Sequence, residues 1–106
     1  MTTALITHRA CLDHDPGKGH PESPQRLEAI LRALAQPDFA ALIRLEAPRA
    51  DRESLLRAHA PALVDAILGP LNEQAERDGR VALDPDTVMS AGSAEAALRA
   101  AGAMCL

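Results

Sequence analysis

The pattern of apolar and polar positions predicts a strand, a loop and an amphipathic helix at the start of the chain. Residues 3–8, TALITH, form a short apolar run rich in β-branched residues, which is typical of a buried strand. Residues 9–22 hold two Gly and two Pro among polar groups and are therefore expected to form a loop. Ser23 offers an N-cap, and Pro24 suits the first helical position because its missing N–H costs nothing there. An apolar stripe with helical spacing follows, at Leu27, Ile30, Leu31 and Leu34.

The middle of the chain predicts a second strand and two further helices. Residues 41–48, ALIRLEAP, alternate enough between apolar and polar to form the strand. Asp51 can cap a short helix that extends to His59. Another helix begins at Pro61 and ends at Gly69, which a proline follows. The apolar stripe of this helix consists of Leu63, Val64, Ile67 and Leu68.

The last third of the chain predicts an irregular stretch and a terminal helix. Residues 70–92 are polar and are expected to be irregular, apart from a short strand at 81–83. Ser93 is expected to cap the last helix, SAEAALRAAGAMCL. The apolar pattern of this helix continues to the final residue, and no Gly or Asn cap closes it.

This order of elements indicates an α/β fold with an incomplete sheet. Strand, helix and strand form a βαβ unit, which places two parallel strands side by side. A parallel sheet needs several strands and helices on both faces, and two or three strands do not complete one. We therefore expect the N-terminal part of a larger α/β domain. The alternative is a small complete domain with a frayed C-terminus.

Composition narrows the classes of partner. The chain has 106 residues, 47% of them hydrophobic, and Phe39 is the only aromatic residue, so the core must consist of aliphatic side chains. A net charge of −4 argues against a nucleic-acid partner, because phosphate binding requires a basic face. No apolar run approaches the roughly 20 residues of a membrane span, and no membrane association is expected. Cys11 and Cys105 make no disulfide framework, which favours a reducing, cytoplasmic location.

Side chains that could bind a metal or act as an acid or base are concentrated in the first loop. Residues 11–26, CLDHDPGKGHPESPQR, bring six potential metal ligands or acid/base groups close together. Their spacing matches no zinc or calcium pattern, and the GKG stretch lacks the rest of a phosphate loop. A nucleophile pair of Cys11 and His14 is conceivable but unspecific. Because the loop leaves the carboxyl end of a predicted parallel strand, where open α/β sheets bind ligands, it is expected to face a functional site.

Three segments of the chain resemble the histone deacetylase superfamily, which includes bacterial acetylpolyamine amidohydrolases. GHPESPQR, residues 19–26, resembles the His-Pro-x-x-Pro-x-Arg motif that opens the first helix of these proteins. LLRAHAPALVDAI, residues 55–67, is similar to a Leu-rich helix, a His and a second helix in the family. LDPDTVMSAGSAEAALRAAGA, residues 83–103, is similar to the segment that precedes the catalytic core. The resemblance implies the N-terminal part of an arginase/deacetylase-type parallel sheet with flanking helices, with residues 1–106 forming one segment of a single deacetylase domain.

The resemblance also implies roles for three residues. Arg26 matches an arginine that lines the internal cavity behind the active site, where a carboxylate product would be held. Asp86 matches an aspartate at the rim of the substrate tunnel that accepts hydrogen bonds from substrate N–H groups, with Asp84 as a rival. His20 lies in the first loop, which would form part of the same rim, and matches a motif position interpreted as structural; with Arg26 and Asp86 it is placed among the substrate-binding residues. Without the resemblance, Arg26 would be interpreted as a helix-flank residue in a salt bridge and Asp86 as a turn residue.

The catalytic residues of the family are absent from this sequence. Its two adjacent His residues after Pro-Gly do not occur here, where the four His are His8, His14, His20 and His59. The resemblance implies Zn²⁺ and an acetyl-lysine or acetylpolyamine substrate for the complete domain, but no catalytic residue and no metal ligand in this chain. Alternatives are a non-catalytic interaction domain, which would self-associate into a homo-oligomer or dock on a partner, and a metal-binding loop protein.

Overall fold

The computed structural model describes all 106 residues, as four short strands and five α-helices. A 3₁₀ helix, Arg9–Asp13, lies in the first loop, and a second, Pro37–Phe39, follows the first α-helix. The strands are β1 (Ala4–Thr7), β2 (Ile43–Glu46), β3 (Arg80–Asp84) and β4 (Thr87–Ser90). The α-helices are α1 (Pro24–Leu34), α2 (Arg52–Leu56), α3 (Pro61–Leu68), α4 (Pro70–Asp78) and α5 (Ser93–Cys105).

The predicted βαβ unit is confirmed. Strands β1 and β2 pair in parallel, with Ala4 opposite Ile43 and Thr7 opposite Glu46. Helix α1 connects them and begins as predicted, with Pro24 in its first turn and the Ser23 side chain accepting a hydrogen bond from the Arg26 N–H. The first loop therefore leaves the carboxyl end of β1. The fold is a mixed α/β arrangement with a parallel pair of strands and flanking helices, as expected.

The prediction for residues 70–92 is confirmed for the short strand at 81–83, which lies within β3, and is wrong for the rest. These residues form α4 and an antiparallel hairpin of β3 and β4, with a register shift between Ala82 and Asp84. Pro70 signalled the end of a helix, but proline also suits a first helical turn, and α4 begins there. Apart from Pro70, Leu71 and Ala75, the residues of α4 are polar or charged, so its apolar stripe was too narrow to detect.

The start of the last helix is also corrected. Gly92, and not Ser93, is the N-cap of α5, and it makes no side-chain cap. Ser93 is instead the first helical residue, and its hydroxyl accepts a hydrogen bond from the Ser90 N–H at 2.7 Å. A serine adjacent to a helix start can satisfy the preceding turn as well as the helix itself, and the sequence does not distinguish the two cases.

The core is small and built from small side chains. Ala75, Met89 and Ala94 form its buried centre, where α4, β4 and α5 meet. No large side chain is fully buried, and the parallel strands remain accessible: Ile43 is 46% and Leu45 41% exposed. Helix α5 approaches the segment after β2 closely, because Gly102 lies against the Pro48 carbonyl. No helix is long and apolar enough to cross a lipid bilayer.

Candidate functional site

Two buried serines fasten the first loop to the turn between β4 and α5. The Ser90 hydroxyl donates to the Asp13 carbonyl and accepts from the Asp15 N–H, both at 3.0 Å. The Ser93 hydroxyl lies 2.6 Å from Nδ1 of His14. These contacts join parts of the chain more than 70 residues apart, and they hold the loop beside the hairpin. The sequence interpretation did not single out Ser90. Its only signal was a small polar residue at the end of an apolar strand.

His20 joins the same loop to the tip of the hairpin. Its Nε2 lies 2.9 Å from the carbonyl oxygen of Asp86, and its Nδ1 accepts a hydrogen bond from the Glu22 N–H at 3.0 Å. An Nδ1 that accepts must carry no proton, so the proton of the neutral ring is on Nε2, which donates to Asp86. The structure thus brings His20 and Asp86 together across 66 positions of sequence.

The two aspartates of the DPDT turn have different surroundings. An Asp84 carboxylate oxygen accepts the Asp86 N–H at 2.8 Å. This hydrogen bond, followed by contacts with Thr87, lowers the pKa of Asp84. The Asp86 carboxylate makes no hydrogen bond or ion pair and is exposed to solvent. Asp84 is therefore the residue that shapes the turn, and Asp86 is the one with a free carboxylate.

Arg26 forms the salt bridge that its position on the helix flank suggested. Its Nη2 donates to Glu22 at 2.8 Å, and its side chain is 51% exposed. The Arg26 guanidinium lowers the pKa of Glu22 through this hydrogen bond. A guanidinium has five N–H donors, so most of those of Arg26 remain free for a further acceptor. The structure places Arg26 between two clefts.

The first cleft is open and polar, with a volume of 780 Å³. It brings together all three residues singled out from the sequence, and it also contains Lys18, which sequence interpretation passed over. No hydrophobic residue lines it, and its lining residues are Pro16, Lys18, Gly19, His20, Pro21, Glu22, Arg26 and Asp86.

The second cleft has a volume of 380 Å³ and is mainly apolar. It lies between the first loop, α1, β4 and α5, and Arg26 is the only arginine or lysine that lines it. Small side chains of α5 form one wall: Ala96, Ala97 and Ala100. The two clefts share Arg26 and Glu22, so the salt bridge lies between a polar cleft and a mainly apolar one.

The side chains considered for a metal site or a nucleophile pair in the loop do not lie together in the structure. No group of three or more His, Cys, Asp or Glu side chains in the chain is arranged to hold a metal ion. The thiol of Cys11 lies 3.9 Å from the Ala96 carbonyl, while His14 contacts Ser93. Cys11 and His14 therefore do not form the nucleophile pair that their spacing allowed. Both cysteines are free thiols.

The structure is a mixed α/β segment in which the first loop and the hairpin line two clefts. Residues 20–106 match the histone deacetylase domain family, and the chain belongs to that family. The match begins at His20, so it covers the motif of the first helix, the helices α1 to α5 and the hairpin.

A solved structure supports the same assignment. The fold is similar to a crystal structure of the HDA15 HD domain, with 27% sequence identity and a TM-score of 0.82. The similarity covers 97% of this chain and 30% of that chain, so the chain spans about a third of the structure that it matches. A search of curated proteins finds no match.

Proposed function

We propose that the chain is the N-terminal segment of a single deacetylase domain that hydrolyses acetyl-lysine or acetylpolyamine amides. In this proposal residues 1–106 supply the rim and part of the inner wall of the substrate site, in a cytoplasmic protein. The observation that carries the proposal is the polar cleft, where His20 and Arg26 of the first loop and helix meet Asp86 of the hairpin. Family membership supports deacetylation as the reaction class.

Asp86 is proposed to bind the substrate main chain. A carboxylate only accepts hydrogen bonds, so its natural partners are N–H groups such as those that flank an acetyl-lysine. The Asp86 carboxylate is exposed, has no partner in the protein and lies at a cleft. A charge-assisted hydrogen bond to an ionised acceptor contributes about 1.5–3 kcal/mol.

Arg26 is proposed to hold the carboxylate product. Acetate carries one negative charge, and Arg26 reaches the apolar cleft, where a charge has few other partners. Glu22 already neutralises part of the guanidinium charge through its 2.8 Å contact. In the proposal, acetate bonds to the remaining N–H donors of Arg26.

Zn²⁺ does not fit the residues of this chain. Zinc catalysis requires three protein ligands and an open position, and no such group of side chains is present. The proposal therefore assigns the zinc ligands and the catalytic residues of the complete domain to parts of the domain that lie outside this segment. It assigns none of them to residues 1–106.

Binding to the full chain tests the role of Asp86. An acetyl-lysine peptide added to the ¹⁵N-labelled chain should shift the amide signals of His20, Asp86 and Thr87. The same peptide with N-methylated main-chain amides should shift them far less, because it lacks the donors that Asp86 accepts. Asp86→Ala should remove the difference between the two peptides.

Asp38→Ala is the matched control for this experiment. Asp38 is another exposed aspartate, in the 3₁₀ helix after α1, and it makes no ion pair. This variant should keep the wild-type preference for the unmethylated peptide. Equal shifts from both peptides on the wild-type chain would contradict the proposed role of Asp86.

A second candidate function is a non-catalytic interaction domain. One observation favours it: large apolar side chains are accessible on β2 and α3, where Ile43 is 46% and Leu63 50% exposed. Exposed apolar surface of this kind is typical of sites that contact another protein. The peptide titration separates the two candidates, because an interaction domain has no reason to distinguish acetylated lysine peptides by their main-chain N–H groups.

A further inference from the structure

The backbone of Asp86 is held at both of its polar atoms. Its N–H donates to the Asp84 carboxylate at 2.8 Å, and its carbonyl accepts from Nε2 of His20 at 2.9 Å. A hairpin tip usually leaves such groups to water, and the tip here is exposed. Two side chains from different parts of the sequence thus fix the peptide units on either side of Asp86, while its own carboxylate has no partner.

Both side chains are themselves fixed. The second ring nitrogen of His20 is occupied by the Glu22 N–H, which sets the ring orientation and the position of its proton. The backbone N–H of His20 donates to the Gly17 carbonyl at 3.3 Å. Asp84 lies at the register shift of the hairpin and also contacts Thr87. Neither residue is free to turn to another partner without breaking a local contact.

We propose that His20 and Asp84 are positioning residues that hold Asp86 at the cleft through its backbone, leaving its carboxylate free to accept substrate N–H groups. This inference rests on the proposed function of Asp86. Its physical basis is preorganisation: a carboxylate on a fixed turn loses less conformational entropy on binding than one on a mobile tip. Asp84 and His20 act through Asp86 and touch no substrate themselves.

The position of the His20 proton is the first test, and it needs no variant. In the wild-type chain at mildly alkaline pH, the imidazole ¹⁵N shifts should show Nε2 protonated and Nδ1 unprotonated. The Asp86 amide should also exchange more slowly with deuterium than the neighbouring amides of the hairpin tip. The opposite tautomer, or rapid exchange at Asp86, would overturn the inference.

Two substitutions at His20 separate its two hydrogen bonds. His20→Gln places an amide N–H donor near the position of Nε2 and can keep the contact with the Asp86 carbonyl. His20→Asn places an acceptor near the position of Nδ1 and can keep only the contact with the Glu22 N–H. The Asp86 N–H itself is bonded to Asp84, so His20 affects its exchange by holding the turn closed through the Asp86 carbonyl. We expect deuterium exchange at the Asp86 amide to stay within about twofold of wild type in His20→Gln. We expect it to rise about tenfold in His20→Asn, because losing a hydrogen bond of about 1.4 kcal/mol lets the turn open about ten times as often.

A matched pair of substitutions at Asp84 tests the other hydrogen bond, the one that the Asp86 N–H donates to the Asp84 carboxylate. Asp84→Asn keeps a carbonyl oxygen that can accept the Asp86 N–H, whereas Asp84→Ala removes it. The Asn variant should bind the acetyl-lysine peptide nearly as well as wild type, and the Ala variant should bind it several-fold more weakly. Identical effects within each pair would overturn the inference even where the variants remain folded.

The two proposals can fail separately. In one case the exchange measurements follow the predicted order but Asp86→Ala binds the peptide like wild type. His20 and Asp84 then hold the Asp86 backbone, and the proposed substrate role of Asp86 is wrong. In the other case Asp86→Ala abolishes the peptide preference but the His20 and Asp84 pairs show no difference. Asp86 then binds substrate, and the proposed positioning role of His20 and Asp84 is wrong.

Discussion

The close packing of a helix on a neighbouring segment can depend on a single residue, and Gly102 of α5 is the clearest case in this fold. A Cβ added there would overlap the carbonyl oxygen of Pro48 and lie 2.9 Å from the Ala50 nitrogen. Helix α5 can pass over this segment only because position 102 has no side chain. Glycine in a helix normally costs about 0.5–1 kcal/mol relative to alanine, so its presence here is explained by packing and not by helix propensity.

The first prediction is that Gly102→Ala destabilises the protein despite the gain in helix propensity. We expect a net loss of about 1–3 kcal/mol in the free energy of unfolding, because backbone atoms must move to admit the methyl group. Urea denaturation measures it. Ala103→Gly is the control, with an expected loss of about 1 kcal/mol from propensity alone. A stabilised Gly102→Ala variant would show that α5 does not approach Pro48 in this way.

The sequence predicted the roles of single residues correctly where those roles depend on a local motif. Ser23, Pro24 and Asp51 act at helix starts as expected, because capping is decided within a few residues. The partner of His20 could not be predicted, because it lies 66 positions away and is a backbone carbonyl, which every residue carries. The choice between Asp84 and Asp86 likewise depended on which carboxylate accepts the neighbouring N–H.

Between elements, the first loop depends on Ser90. Its buried hydroxyl connects β4 to two backbone groups of the loop, the Asp13 carbonyl and the Asp15 N–H. Gly92 lies against the same loop, since a Cβ there would lie 2.7 Å from the Asp13 carbonyl oxygen. The loop therefore packs on the turn before α5 with little spare volume.

The second prediction concerns this contact. Ser90→Ala should lower the free energy of unfolding by about 1–3 kcal/mol, because it leaves two partly buried backbone groups without their partner. Amide exchange should accelerate in residues 13–15 more than in α1. Thr2→Ala, an exposed position, is the control and should change neither quantity. Unchanged exchange in the loop of the Ser90→Ala variant would contradict this account.

Glu95 connects α5 to the segment after β2. Its carboxylate accepts from Nε of Arg49 at 2.8 Å and from Nε of Arg99 at 2.9 Å, and Arg99 also donates to the Ala47 carbonyl. The hydrogen bond from Arg49, followed by that from Arg99, lowers the pKa of Glu95 below its ordinary value of 4.5. Because the folded pKa is the lower one, this contribution to stability is present above pH 4.5 and is lost as the pH falls through the folded pKa.

The third prediction follows from the lowered pKa of Glu95. Glu95→Gln should be less stable than wild type near neutral pH, and the difference should shrink as the pH is lowered below 4.5. Urea denaturation over a series of pH values measures the difference. Glu28→Gln is the control, since Glu28 is exposed and forms no ion pair. A constant difference between wild type and Glu95→Gln down to acid pH would exclude this role of Glu95.

Helices with a wide apolar stripe or a side-chain cap were predicted, and α4, which has neither, was not. Helices α1 and α3 carry four apolar residues each at helical spacing, and both lie where expected. Helix α4 contributes one fully buried residue, Ala75, and packs through it on β4. Such a helix is stabilised by its tertiary contacts more than by its own pattern, which the sequence does not display.

At the scale of the whole molecule, the structure contains only two-stranded sheets, in agreement with the incomplete sheet that the sequence predicts. Strands β1 and β2 form a sheet of two, and β3 and β4 form another. Parallel sheets are normally covered on both faces, yet Ile43 and Leu45, two positions apart on β2, are both more than 40% exposed. Together with Leu63 on α3, which is 50% exposed, these side chains leave apolar surface accessible to another polypeptide.

The last prediction is that this surface causes the chain to self-associate. In sedimentation velocity, the wild-type chain should form larger species as its concentration rises, because association removes apolar surface from water. Ile43→Lys and Leu63→Lys should each reduce this dependence. Thr2→Lys is the control: it adds the same charge at an exposed polar position and should leave association unchanged. Each lysine brings the net charge of −4 closer to zero, which by itself weakens repulsion between copies. A decrease in association must therefore arise from the lost apolar contact, and a wild-type chain that stays monomeric at every concentration would show that β2 and α3 do not bind a second copy.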